Sequence, residues 1–241
     1  MTPVASGSGS RDRKSAITPP EIATDPVFLL DVDNTLLDND AVTEDLRRHL
    51  RNAFGDECER RYWEIFEQLR QELGYADYLG ALQRYRLERP RETELLRVSL
   101  FLLEYPFATR LYPGALDVIA QLKARGQVVL LSDGDVVFQP RKIERSGLWA
   151  AVDGHVLIYI HKEQMLDEVE RQYPAARYVM VDDKLRILAA VKAIWRERVT
   201  TVFVRQGHYA HDPAIVSAAP AADITIECIA DFVGVSDAQR R

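Results

Sequence analysis

The chain has 241 residues, with 31 Lys plus Arg against 37 Asp plus Glu, a net charge of −6 and 47% apolar residues. At this length about 73% of the unfolded surface is buried on folding, enough for a core without disulfides or a structural metal. The acidic balance excludes a generally basic nucleic-acid surface or a polybasic membrane anchor, the distant pair Cys58 and Cys228 excludes a disulfide scaffold or Cys-rich zinc site, and no apolar run approaches the roughly 20 residues that span a bilayer.

Residues 1–25 are Ser-, Gly- and Pro-rich without an apolar stretch, so a flexible tail is expected rather than a secretory signal, with the cytoplasm as default compartment. Val27-Phe28-Leu29-Leu30 then runs into Asp31 as a continuous apolar segment, the pattern of a strand buried on both faces. Similar runs follow at Gln127 to Leu131, Val156 to Ile160, Tyr178 to Val181, Thr200 to Val204 and Ile224 to Ile226. Helical spacing separates most of them. Leu116, Ile119, Ala120 and Leu122 mark one helix, Met165, Leu166 and Val169 a second, and Leu185, Leu188, Ala189, Val191 and Ile194 a third. Alternating strands and helices predict an α/β fold with a doubly wound, mostly parallel sheet.

One interval breaks the rhythm. Asp31 and Ser132 lie 101 positions apart, whereas a plain strand–helix–strand unit takes about 30 residues. Between them the apolar positions keep helical spacing: Leu46 and Leu50; Tyr62, Ile65, Phe66 and Leu69; Tyr78, Leu79 and Leu82; Leu95, Leu96 and Val98 to Leu103. Residues 40–108 are therefore expected to form an inserted helical domain, with residues 26–39 and 109–241 forming the α/β core. Within the insertion, Arg84, Arg86, Arg89, Arg91 and Arg97 alternate with glutamates, as on a solvated, salt-bridged face. Tyr62, Trp63, Phe66, Tyr75, Tyr78 and Tyr85 read as its core.

Ligands of a doubly wound sheet bind beyond the carboxyl ends of its strands. The first run ends in Asp31-Val32-Asp33-Asn34-Thr35, the second in Ser132-Asp133-Gly134-Asp135, the third in His161-Lys162 and the fourth in Asp182-Asp183. Asp31, Asp182 and Asp183 would repel if ionised together in a dry site. A hard divalent cation resolves that repulsion, and Mg2+ suits carboxylates while sharing a substrate phosphate. Lys162 offers a point charge to a phosphate or a carboxylate nucleophile, with Lys184, beside Asp183, as the alternative. Ser132 offers a hydroxyl. Strand alternation would put Asp31 and Asp33 on one face, close enough for one to attack and the other to move the leaving group's proton. Asp135 and Asp38 read as helix caps. His208 and His211 read as ordinary loop residues, with His208 a candidate substrate contact.

These four motifs, in this order, resemble those of the haloacid dehalogenase-like hydrolase superfamily, and the helical insertion is similar to its first type of cap domain. The resemblance covers about residues 26 to 230. It implies a Rossmann-like core, with Asp31 as a nucleophile that becomes an aspartyl-phosphate. Asp33 would be the general acid and base, with its backbone carbonyl on Mg2+. Thr35 would hold the first motif's loop beside the substrate, while Ser132 and the backbone N–H of Asp133 would bind the phosphoryl group. Lys162 would neutralise nucleophile and phosphate, and Asp182 and Asp183 would complete the Mg2+ site. Lys162 is followed by Glu163-Gln164 where many members have proline. In the dehalogenases proper, position 33 is typically not acidic, so Asp33 favours phosphoryl transfer. The resemblance implies a small phosphorylated metabolite as substrate, with no nucleic-acid or membrane partner. A phosphomutase, a dehalogenase, a signalling phosphoacceptor and a binding protein without turnover stand as the alternatives.

Overall fold

The computed structural model describes residues 25–234; the expected tail, Asp25 aside, lies outside them. Six strands, β1 Val27–Leu30, β2 Gln127–Asp133, β3 Val156–Tyr159, β4 Tyr178–Asp182, β5 Val199–Val204 and β6 Ile224–Ile226, form one sheet in the order β3-β2-β1-β4-β5-β6. Every pairing is parallel. The order reverses between β1 and β4, which is the switch point where a ligand crevice opens in such sheets.

Alternation along the strands divides the sheet between two apolar clusters. Phe28, Leu30, Val128, Leu130, Val179, Val181, Val202 and Val204 face one side. Val27, Leu29, Val129, Leu131, Tyr178, Met180 and Phe203 face the other. Helices α8 (Leu166–Gln172) and α9 (Leu185–Trp195), with the short α10 (Gly207–His211), cover the second face. Helices α5 (Ala115–Lys123), α6 (Phe138–Ser146) and α7 (Leu148–Ala151) cover the first. The short α11 (Pro213–Ser217) precedes β6.

The interval between β1 and β2 is helical, as its spacing predicts. It holds α1 (Asn39–Phe54), α2 (Asp56–Leu73), α3 (Tyr78–Glu88) and α4 (Leu96–Glu104), with 3-10 turns at Thr93–Leu95 and Phe107–Arg110. Helix α1 opens one residue before the expected boundary because the Asp38 carboxylate accepts the Ala41 amide at 2.9 Å, a side-chain N-cap. The two connections to the insertion run side by side. Leu37 bridges Leu111, the Asp38 amide donates to the Arg110 carbonyl at 2.7 Å, and the Tyr112 amide donates to the Leu36 carbonyl at 2.9 Å.

Tyr62, Trp63, Phe66, Tyr78 and Tyr85 are buried between these helices, while Tyr75 is half-buried. Their apolar neighbours merge with the first sheet face into one cluster. The arginine-rich face is exposed, and three of its arginines are paired: Arg84 with Glu72, Arg89 with Glu57, and Arg97 with Glu94.

Helix α6 follows the helix start expected at Asp135, but no apolar spacing in the sequence marks its span. Its Gln139-Pro140-Arg141-Lys142 stretch is polar, yet Gln139 and Lys142 are buried. Pro140 sits in the first turn, where its missing N–H costs nothing. Asp135 accepts the Val137 and Phe138 amides at 2.8 and 2.7 Å, the capping role expected of it.

Candidate active site

The first loop is built to present its acids. β1 ends at Leu30, so Asp31 is the first residue past the strand rather than part of it. The Val32 carbonyl then accepts the Leu36 and Leu37 amides at 2.9 and 3.0 Å, closing a tight turn. Asn34 has φ +61°, a left-handed conformation that asparagine tolerates. Its Oδ1 accepts the Asn39 and Asp40 amides at 3.0 and 3.2 Å, and its Nδ2 donates to Asp40 Oδ1 at 3.0 Å. Gly207 packs on this turn so closely that a Cβ there would stand 2.4 Å from Asn34 Cβ.

Register brings the acids together. Leu30 pairs with Val181, which sets Asp31 beside Asp182, and the Asp31 amide donates to the Val181 carbonyl at 3.0 Å. Lys162, in the 3-10 turn after β3, enters this acid group. Its Nζ hydrogen-bonds Asp31 Oδ1 and lies 2.7 Å from Asp182 Oδ2 and 3.2 Å from the Leu131 carbonyl. Burial pushes the Lys162 ammonium's pKa down. The charges of Asp182 and Asp31 outweigh that and hold it well above its ordinary value, so the group stays cationic. Lys184 lies at the periphery, with Nζ 4.0 Å from Asp183 Oδ1 and 5.3 Å from the Tyr209 ring centroid. Of the two candidate lysines, Lys162 is the one seated between Asp31 and Asp182.

Thr35 is buried and donates its hydroxyl to Asp31 Oδ2 at 3.4 Å. Ser132 is buried at the end of β2, its Oγ accepting Gln139 Nε2 at 2.8 Å. Asp133 holds the Lys162 turn by accepting the Lys162 amide at 2.7 Å. Burial raises the Asp133 pKa, against the pull of the Lys162 charge and amide.

Asp31, Asp182 and Asp183 form a buried triad whose ligand oxygens lie within 4.8 Å of one another. Asp182 Oδ1 accepts the Lys184 amide at 2.8 Å. Both oxygens of Asp183 are buried with no hydrogen-bond partner among the described residues. Burial, ahead of any charge, pushes the Asp183 carboxyl well above the usual carboxylate range, and it raises Asp182 as well. Buried carboxylate oxygens without donors are costly unless a cation meets them. Three clustered carboxylates are the donor set a hard divalent cation takes, so the residues fit a metal.

Asp33 takes a different partner. Both of its oxygens are held by Lys142 Nζ, at 2.8 and 2.9 Å, and Gln139 Nε2 lies 3.3 Å from Oδ2. Asp31 and Asp33 thus sit in one loop but answer to two different lysines. Lys142, its partner Asn39 and Gln139 were not foreseen, because a search confined to strand ends passes over a mid-helix lysine. Its rarity was the one available signal, the chain holding six lysines among its 31 basic residues.

The insertion leans on the same end of the sheet. At the end of α2, Arg70 Nη1 donates to Tyr209 OH at 2.7 Å, and a Cβ on Gly74 would stand 2.4 Å from His161 Cε1. His208 is occupied within the protein. Its amide donates to Asp40 Oδ2 at 2.7 Å, and its Nδ1 lies 2.6 Å from Asp40 Oδ1.

The family model for haloacid dehalogenase-like hydrolases matches residues 26–194. The chain belongs to this family. A haloacid dehalogenase-like hydrolase from Burkholderia xenovorans LB400 is 66% identical, with a TM-score of 0.86 over 89% of this chain and 100% of that one. The same fold recurs in the HAD-hydrolase YfnB of Bacillus subtilis, solved bound to magnesium, at 16% identity and TM-score 0.58 over 88% of this chain and 98% of that one. It recurs again in an L-2-haloacid dehalogenase of Xanthobacter autotrophicus, at 16% identity and TM-score 0.57 over 87% of this chain and 97% of that one. No protein with a curated description matches the chain. The doubly wound parallel sheet expected from the sequence is the one this family of hydrolases shares. No helix among the described residues is long and apolar enough to cross a membrane.

Proposed function

We propose that this hydrolase is a Mg2+-dependent phosphatase acting on a small phosphomonoester through an aspartyl-phosphate. One observation carries the reading. Beside Asp31 there is a second carboxylate, Asp33, partly exposed and held by Lys142 and by Gln139, which also reaches Ser132. An alkoxide leaving group needs a proton donor of this kind, whereas a departing halide does not.

Asp31, Asp182 and Asp183 would hold the Mg2+, which when bound supplies positive charge to the phosphoryl oxygens. Asp31 attacks phosphorus as the bond from phosphorus to the leaving oxygen breaks. Asp33 delivers its proton to that oxygen. It then takes a proton from the water that attacks the phosphorus of the acyl phosphate, which restores Asp31 and releases inorganic phosphate. Lys162 orients the nucleophile and offsets its charge, and Ser132 donates to a phosphoryl oxygen.

Phosphate release from a panel of phosphomonoesters, with Mg2+ and with EDTA, tests the reading. Turnover is expected with Mg2+ alone and is expected to vanish in Asp31→Asn, which keeps its fold. Residual activity above about a tenth of wild type would sink the nucleophile assignment. Halide release from 2-haloacids without phosphate release from any ester would move the chain to dehalogenation.

A further inference from the structure

Lys142 is a buried cation that the reaction as proposed leaves unused. It lies in the second turn of α6 with its side chain 1% exposed. Burying an ammonium is costly unless each of its protons finds an acceptor. Here Nζ faces three: the two oxygens of Asp33 at 2.8 and 2.9 Å, and Asn39 Oδ1 at 2.9 Å. Gln139, three residues earlier on the same helix, donates to Ser132 Oγ at 2.8 Å and approaches Asp33 Oδ2 at 3.3 Å. The two buried polar side chains at 139 and 142 therefore converge on one carboxylate.

Asn39 carries the contact further. It is the first residue of α1, and its Nδ2 donates to Tyr78 OH at 3.2 Å. Tyr78 OH in turn pairs with Thr43 Oγ1 at 2.9 Å. An unbroken hydrogen-bonded path runs from Asp33 through Lys142 and Asn39 to Tyr78, at the start of α3. An aspartate on a loop turns freely about two side-chain bonds. One gripped at both oxygens by a buried ammonium does not.

We propose that Lys142 is a positioning residue: it fixes the direction in which Asp33 presents its carboxyl to the leaving oxygen, and through Asn39 ties that direction to the seating of the inserted helices. The inference rests on the phosphatase reading. It concerns aim, because proton transfer needs the two heavy atoms within about 3 Å, and a misplacement of about 1 Å costs on the order of 100-fold in rate.

Leaving-group dependence separates this role from general support of the fold. p-Nitrophenolate departs with little help from a proton, whereas an alkoxide does not. The enzyme with Mg2+ is assayed on p-nitrophenyl phosphate and on glycerol 2-phosphate, as wild type, K142M, K142R, N39A, D33N and D33N/K142M. K142M is expected to slow kcat on the glycerol ester about 100-fold and on the nitrophenyl ester less than about 5-fold, with KM nearly unchanged. K142R should recover about 10-fold of the loss, since it keeps the charge and two donors. D33N/K142M should be no slower than D33N, because Lys142 acts through Asp33.

Equal losses on both esters, or full additivity with D33N, would overturn the inference and leave the phosphatase intact. Should K142M fail to fold, N39A decides. It keeps the ion pair and cuts the third bond, and is expected to lose about 3- to 10-fold on the glycerol ester alone; no selective loss there overturns the inference. A wild-type enzyme that hydrolyses neither ester overturns the phosphatase reading, and this inference falls with it.

Discussion

Replacing Asp183 with asparagine is expected to stabilise the metal-free protein while removing its response to a divalent cation. The ligand oxygens of Asp31, Asp182 and Asp183 stand within 4.8 Å of one another. At an effective dielectric of about 20, each like-charged pair at that separation repels by about 3.5 kcal/mol. Asp183 takes part in two such pairs. Against them stands the Lys184 ammonium, 4.0 Å from Asp183 Oδ1, an attraction of about 4 kcal/mol on the same scale. Lys162 returns a further share. Burial then works against the charge, since neither Asp183 oxygen has a hydrogen-bond partner among the described residues, at about 1–3 kcal/mol for a buried polar group left unsatisfied. The raised carboxyl of Asp183 already relieves part of this repulsion, so removing the charge with a side chain of the same shape is expected to gain about 1–3 kcal/mol. The assay is urea unfolding of wild type and D183N, once in EDTA and once with Mg2+ at about 100 times the wild-type Kd. Wild type should gain about 2.7 kcal/mol from the cation and D183N less than about 0.5 kcal/mol, so the cation narrows or reverses the stability order seen in EDTA. A D183N protein less stable than wild type by more than about 1 kcal/mol in EDTA would refute the electrostatic reasoning. So would an equal gain from Mg2+ in both proteins.

Two further outcomes are expected. Gly74 ends α2 at φ +81° with His161 packed where a Cβ would go, so G74A is expected to cost about 1–3 kcal/mol. It should also lower turnover, because His161 precedes Lys162; a melt and a rate measured together check both, and an unshifted melt would count against the close packing. For Asp45, burial raises the carboxyl, but hydrogen bonds from Tyr105 and Arg110 and the charges of Arg110 and Arg48 outweigh it and leave it below its ordinary 3.8. A lowered carboxyl stabilises the fold fully above its unfolded value and loses that contribution as pH falls through the folded one. D45N should accordingly cost about 1–2 kcal/mol at neutral pH, and the difference from wild type should shrink only below about pH 4. A difference that stays constant down to pH 2.5 would contradict the assignment.

The strands were legible because a sheet covered on both faces needs unbroken apolar runs, and Val27–Leu30 and Tyr178–Val181 are such runs. The acids and Lys162 were legible because they interrupt those runs where the strands end. Ser132 was legible for the same reason, although β2 continues through Asp133, beyond the Leu131 at which its apolar run stops. The start of helix α6 was legible in Asp135, but its buried face was not. Its buried face carries Gln139 and Lys142, residue types that chain-local reasoning assigns to solvent. They are buried because Ser132, Asp33 and Asn39 meet them from the ends of other elements. Such polar pairing exists only after the sheet and the insertion come together, so no periodicity announces it. The capping aspartates Asp38 and Asp135 lie at the opposite extreme: their partners are three residues away or fewer, and local sequence was enough.

Strand β1 lies in the interior of the sheet, yet its neighbours begin at Gln127 and Tyr178. A chain synthesised at about 5–20 residues per second leaves Val27–Leu30 without strand partners for on the order of ten seconds. During that wait the inserted helices can settle, because α1, α2 and α3 follow one another closely in the chain. The four-residue apolar strand stays a target for chaperones or for a neighbouring nascent chain until the later strands emerge. Asp31, made early, meets Asp182 only when β4, which carries Asp182, pairs with β1. Asp31 and Lys162 are thus given their shared site late in synthesis, and a chain stopped short of β4 carries Asp31 with no site around it.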